Sequence, residues 1–194
     1  MRAVARLAAV AAVVLLAACS HPVKITPPTL ALVSDPAVRV DRAVGYLITD
    51  QQRAMQVTTG GGGGDKISYT PYRDLESGLY QTLASVFSSV YVVPGAGADT
   101  FVADKHLGFV FMPEIATDSS SSNILLWNPT DFSVRLHVVA NDASGKAVWT
   151  RDFTGKAHSA AGGSLVENVA AQQAAADVFG QLQKALIEEP LFRK

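Results

Sequence analysis

Phe132-Ser133-Val134-Arg135-Leu136-His137-Val138 alternates apolar and polar side chains without a slip. That is the pattern of a strand with one face on a core and the other in water. Asp142, Ser144 and Gly145 supply hairpin-loop chemistry just beyond it. Ala147, Trp149, Arg151 and Phe153 then alternate with Val148, Thr150 and Asp152. On the other side, Leu107, Phe109 and Phe111 share one face of a β-prone segment, and His106, Val110 and Met112 share the other. The polar stretch 118–122 reads as a turn, Ile124 to Trp127 as a short strand, and Asn128-Pro129-Thr130-Asp131 as a second turn. The C-terminal half is therefore expected to form an antiparallel meander.

Two helical stripes flank these strands. Pro71 and Asp74 mark a helix start, with Asp74 able to cap free amides. Leu75, Leu79, Leu83, Val86, Phe87 and Val90 follow at three- and four-residue steps. Gly78 interrupts this helix at a cost of up to about 1 kcal/mol, which suggests a neighbouring element in close approach. Near the C-terminus, Ser164 and Glu167 form a capping-box pattern. Leu165, Val169, Val178, Leu182, Leu186 and Ile187 supply an apolar face, and alanine-rich turns between them permit tight packing. Pro190 ends that helix, leaving residues 191–194 as a tail.

Before the first helix, Val38, Val40, Val44, Tyr46 and Ile48 read as a long strand bent or bulged at Gly45. Ala54 to Thr58 extends it or begins a hairpin return. Five glycines at 60–64 then read as a flexible hairpin tip. A phosphate-cradling loop needs a Lys-Ser or Lys-Thr leading into a helix, whereas Lys66 is followed by Ile67. Ile67 to Thr70 makes a short strand. Val90-Tyr91-Val92-Val93, stopped by Pro94-Gly95, makes another, followed by a loop to Thr100. Segregated runs of strands and helices predict an α+β fold, a mostly antiparallel sheet with two amphipathic helices packed on one face.

The N-terminus carries an address. Arg2 and Arg6 precede an apolar run from Leu7 to Leu16, too short to span a bilayer comfortably. Leu16-Ala17-Ala18-Cys19 ends it, and Cys19 is the sole cysteine of the 194 residues. This segment resembles the bacterial lipobox. The resemblance implies a diacylglyceryl thioether on Cys19, cleavage before it and an acylated new amino terminus. Each buried methylene contributes roughly 0.8 kcal/mol, so several chains give a lasting anchor. Pro22, Pro27, Pro28 and Pro36 suggest a tether. Three segments are thus expected: a signal peptide at 1–18, a lipidated cysteine and proline-rich tether at 19–37, and one domain at 38–194.

Sixteen basic and seventeen acidic residues give a net charge of -1, which argues against nucleic acid as a partner. His21, His106, His137 and His158 show no zinc-type spacing. No Gly-x-Ser-x-Gly elbow is present, and Glu188 with Glu189 cannot converge from adjacent positions. No catalytic residue, metal site or cofactor is assigned, and the chain is read as non-enzymatic. Tyr69, Tyr72, Tyr80 and Tyr91 around the first helix read as core or, alternatively, as an interaction surface with Tyr72 and Tyr80 foremost, and Trp127 reads as buried or as beside a strand open to strand addition.

The lipobox at Cys19, the proline-rich segment and the run Tyr69-Thr70-Pro71-Tyr72-Arg73-Asp74-Leu75 opening a helix together resemble the YajG-type lipoproteins of the bacterial envelope. The family offers no established catalytic residues. The resemblance implies a protein held to the membrane by its lipid, with an envelope protein as partner and a binding or assembly role. Ser20 after the modified cysteine resembles the signal of outer-membrane passengers, facing the periplasm. The alternative is a transport or lipopolysaccharide-assembly accessory, similar to LptE-type or ABC-transporter auxiliary lipoproteins.

Overall fold

Three twelve-residue strands carry the molecule, and their alternation is the one visible in the sequence. The structure, a computed structural model, describes residues 20–27, 30–33, 35–122, 128–159 and 168–194. Strand β6 (Phe109–Ser120), β7 (Asp131–Asp142) and β8 (Ala147–His158) form the expected antiparallel meander, in register along nearly their whole length. Phe132, Val134, Leu136 and Val138 point into the core, and Arg135 points to water. The polar stretch expected to turn at 118–122 is instead strand as far as Ser120, because Ser119 faces inward and finds hydroxyl partners. Ile124 to Trp127 lies outside the described residues.

The sheet is extended by β2 (Val40–Tyr46) and β5 (Phe87–Val92), giving the order β5-β2-β6-β7-β8. Both added pairings, β5 with β2 and β2 with β6, are parallel, so the sheet is mixed with its longest ladders antiparallel. The register irregularity in β2 falls between Val40 and Ala43, not at Gly45. Gly45 is instead a point of close packing, where any side chain would run into Val93 and Leu107.

A second, three-stranded sheet has the order β1-β4-β3, from β1 (Ser20–Pro22), β4 (Lys66–Tyr69) and β3 (Val57–Gly60). Strands β3 and β4 are antiparallel, and the glycine run forms their turn as expected, with Gly63 and Gly64 at positive φ. Strand β1 lies parallel to β4. The proline-rich segment is therefore not a free tether. Val23 and Ile25 are buried, the Val23 amide donates to the Ser68 carbonyl, and Val33 exchanges two hydrogen bonds with Gln183. Prolines bias this stretch toward extension, and extension suits a chain laid along a sheet edge as well as one in solvent.

Helix α1 (Asp50–Ala54) has no signature in the apolar pattern, yet Thr49 and Gln52 form a complete capping box. Helix α2 (Pro71–Val86) starts at the expected proline and buries Leu75, Leu79, Leu83 and Val86. It stops at Val86, where the chain turns directly into β5, so Phe87 and Val90 belong to a strand. Helix α3 (Ala98–Asp104) begins inside the stretch 94–100 expected to be loop and runs past its end. It covers the opposite face of the sheet, where Val93, Val102 and Leu107 form a minor cluster. Helix α4 (Val169–Glu188) is capped by Asn168, four residues beyond the expected Ser164, which with Glu167 and Leu165 lies outside the described residues.

The two long helices lie side by side on one face, as expected. Gly78 of α2 faces the Phe179 ring of α4 so closely that no side chain fits between them. Gly155 of β8 likewise lies under the Ala174 carbonyl of α4. The expected tail is the plug of the core. Residues Pro190–Arg193 form a 3-10 turn that inserts Phe192, fully buried, among Phe87, Phe109, Phe111 and Trp149 at ring separations of 5.0–5.7 Å.

Candidate interaction surfaces

Of the tyrosines that bracket α2, only Tyr80 has a broadly open side chain, 45% exposed. Tyr72, the other candidate for the surface, takes the core alternative: it is 5% exposed, and its hydroxyl accepts a hydrogen bond from the Ile115 amide. The reason is topological. Strand β2 pairs with β6 only at Phe109, Val110 and Phe111, so the amide at Ile115 lacks a strand partner on that side and the phenol supplies one. Tyr69 does similar work at the small sheet. It donates to Thr117, while Thr59 lies 2.6 Å from Ser119 and Ser119 donates to the Gly60 carbonyl. This row of hydroxyls fastens the small sheet to the end of β6. Trp127 lies outside the described residues.

Tyr80 stands over a shallow groove of about 310 Å³ whose other walls are Arg39, Ala84 and residues 87–91 of β5. Strand β5 is one of the two edge strands of the large sheet, β8 being the other, with Val92 47% exposed at its end. Tyr91 is half-covered, edge-on to Phe101 at 6.3 Å and with the Lys105 ammonium 5.7 Å from its ring centre. An outermost strand offers unpaired backbone donors and acceptors, the requirement for strand addition. The sequence pointed to Tyr80 but not to Val92 or to the edge, because pairing partners are set by topology.

Beyond the part that α3 covers, the face of the meander turned away from the two long helices is largely polar. The register aligns Glu114, His137 and Asp152 in one row and Ser120, Asp131 and His158 in another. His137 Nδ1 donates to Asp152 at 2.7 Å and His158 Nδ1 to Asp131 at 2.8 Å. The His158 and Thr130 bonds hold the Asp131 carboxyl below the usual range. His137 is thus a sheet-face residue with a cross-strand partner, as its position in the alternation implied. Asp118, Ser133 and Lys156 join Asp131 and His158 around a shallow polar groove at the end of these strands.

One half-buried ionic node was invisible in the sequence. Arg53 of α1 donates from Nε and Nη2 to the two Glu76 oxygens, at 2.8 and 2.7 Å, and the Tyr46 hydroxyl donates to the same carboxylate at 3.0 Å. Arg53 holds the Glu76 carboxyl below its ordinary value, and burial, with Glu76 beside it, pushes the Tyr46 phenol far up. Residues 46, 53 and 76 come together only because β2, α1 and α2 meet, and the bidentate geometry makes the node a clamp. Among the described residues, no three His, Cys, Asp or Glu side chains gather in a metal-binding group. No helix among them is long and apolar enough to cross a membrane.

No family model matches the chain, and no curated protein sequence matches it. Solved structures do resemble it. A PelC dodecamer from Paraburkholderia phytofirmans aligns with a TM-score of 0.50 and 16% identity, covering 83% of this chain and 98% of that one. A Xanthomonas campestris protein of the family model DUF330 aligns with a TM-score of 0.45 and 13% identity, covering 91% and 94%. At these identities the likeness to PelC is one of fold alone.

Proposed function

We propose that the protein is a lipid-anchored, non-enzymatic lipoprotein of the bacterial envelope, facing the periplasm from the outer membrane and serving as a binding or assembly accessory to another envelope component. Leu16-Ala17-Ala18-Cys19 is the observation that carries this reading. A basic, then apolar, then small-residue segment ends on the chain's sole cysteine, and an exported lone thiol has no disulfide partner within its chain. The YajG-type resemblance belongs to the same proposal. The groove beneath Tyr80 along the β5 edge is the surface the reading points to, since an aromatic platform beside an edge strand suits a protein partner.

Cell fractionation tests the reading. The Cys19→Ala protein is expected to leave the membrane fraction, and continued retention would refute the anchor. Crosslinking of the native anchored protein, with Tyr80→Ala as control, tests the partner surface. Recovery of one envelope protein that is lost with Tyr80→Ala supports the accessory role. Recovery of copies of this chain alone would replace it with a self-assembly, of the kind the PelC dodecamer represents.

A further inference from the structure

Strand β1 starts at Ser20, the neighbour of Cys19 in the chain. Ser20 is paired with Lys66, His21 with Ile67 and Pro22 with Ser68. The next residues stay attached, with Val23 and Ile25 buried. A lipid chain on Cys19 would therefore leave the protein with no spacer between bilayer and sheet.

The surroundings of Ser20 can be traced from contact to contact. Lys66 pairs on its other side with Gly60, next to the glycine turn. Gly60 accepts from Ser119 near the end of β6, and Ser119 lies level with Phe132 near the start of β7 and, across it, with Ala157 near the end of β8. One pole of the molecule thus carries the lipobox-proximal residue, the glycine turn and the ends of the meander. The turn at residues 142–145 and helix α3 lie at the other end of the same strands, since Phe109 pairs with Asp142 and Val102 packs with Leu107. A twelve-residue strand spans about 40 Å.

We propose that the protein docks flush on the bilayer through this pole, with the glycine turn, His21, Asp65 and Lys66 on the lipid headgroups and the 142–145 turn pointing away. The inference rests on the lipidation of Cys19 proposed above, and adds an orientation and a membrane-facing surface to it. The chemistry of the pole suits that occupant. Glycines bring backbone close to the headgroups without bulk, and charges of both signs, with His21 Nε2 3.4 Å from Asp65, make contact without requiring anionic lipid. Adhesion comes from the acyl chains, and the absence of slack fixes which side faces the lipid.

The test uses the full acylated protein in phosphatidylcholine vesicles containing a headgroup-attached nitroxide. A fluorophore is placed by Lys66→Cys or, at the far turn, by Ala143→Cys, both exposed positions. Mass spectrometry of the same preparations reports acylation of Cys19. Because the two positions lie near opposite ends of strands about 40 Å long, quenching at residue 66 is expected to exceed that at 143 by roughly threefold or more. A twelve-residue Gly-Ser insertion after Cys19, about 20 Å in r.m.s. reach, should abolish most of that difference. Acylated protein quenched equally at both positions would overturn the orientation and leave the anchor standing. Protein with an unmodified Cys19 would overturn both.

Discussion

Replacing Gly155 with alanine tests the packing on which the two-layer fold depends. The new methyl would overlap the Ala174 carbonyl oxygen and sit 2.8 Å from Val178 Cγ2. The carbonyl is backbone inside α4 and cannot rotate away, so the helix as a whole must retreat. A gap of 0.5–1 Å forfeits about a quarter to a half of the dispersion attraction between facing atoms. The retreat would open it along Ala171, Ala174, Ala175 and Val178, all fully buried. Overpacking costs about 1–3 kcal/mol, and the entropic gain of replacing a strand glycine returns roughly 0.5–1 kcal/mol. With backbone as the obstacle the cost sits at the top of its range, so a net loss of about 2 kcal/mol is expected, or roughly 4–8 °C in Tm for a domain of this size. Urea unfolding of a chain from Ser20 to Lys194 measures it. Gly180, exposed on the same helix with nothing near its absent Cβ, is the control. Gly180→Ala should stabilise by about 1 kcal/mol through helix propensity alone. A loss below about 1 kcal/mol for Gly155→Ala would refute the close-packed helix-on-sheet geometry.

Other perturbations probe separate parts of the molecule. Phe192→Ala should cost about 3–5 kcal/mol in the same assay, as expected of a core plug, and a near-neutral result would restore the C-terminus to the status of a tail. Leu83→Ala, at a fully buried position of α2, should cost about 2–5 kcal/mol. Glu76→Gln removes the negative charge of the Arg53 clamp and turns one of its two acceptor oxygens into a donor, which should cost about 1–2 kcal/mol near pH 7. Because Arg53 lowers the folded Glu76 pKa, that contribution is present above the unfolded carboxylate range and lost as pH falls through the lowered folded value. The difference between wild type and Glu76→Gln should therefore shrink steadily as pH falls below the unfolded carboxylate range, and a difference that stays constant across that fall would contradict the ionic origin.

Periodicity carried the α+β architecture, and it failed where tertiary contacts chose between states. The meander was legible because each strand buries one face, so period two is written into Phe132 to Val138 and again into Trp149 to Phe153. The apolar stripe overstates the length of α2 because Phe87 and Val90 fit its spacing, although strand pairing with β2 claims them. Helices α1 and α3 are too short for a stripe, and only the Thr49–Gln52 capping box marked the first. The parallel placement of β2 between β5 and β6 has no local signal. Pro22 signalled extension correctly, whereas Pro36 opens a 3-10 turn, and what an extended chain lies against is a long-range property, as Val33 on Gln183 illustrates. Tyr72 and Tyr80 look alike in sequence, and helix phase separates them: one reaches the Ile115 amide and the other reaches water.

The mass of the N-terminal peptide of protein extracted from membranes bears most directly on all of this. A peptide beginning at Cys19 and carrying a diacylglyceryl group with an acylated amine is the predicted result. A free Cys19 thiol, or cleavage at another bond, would contradict it.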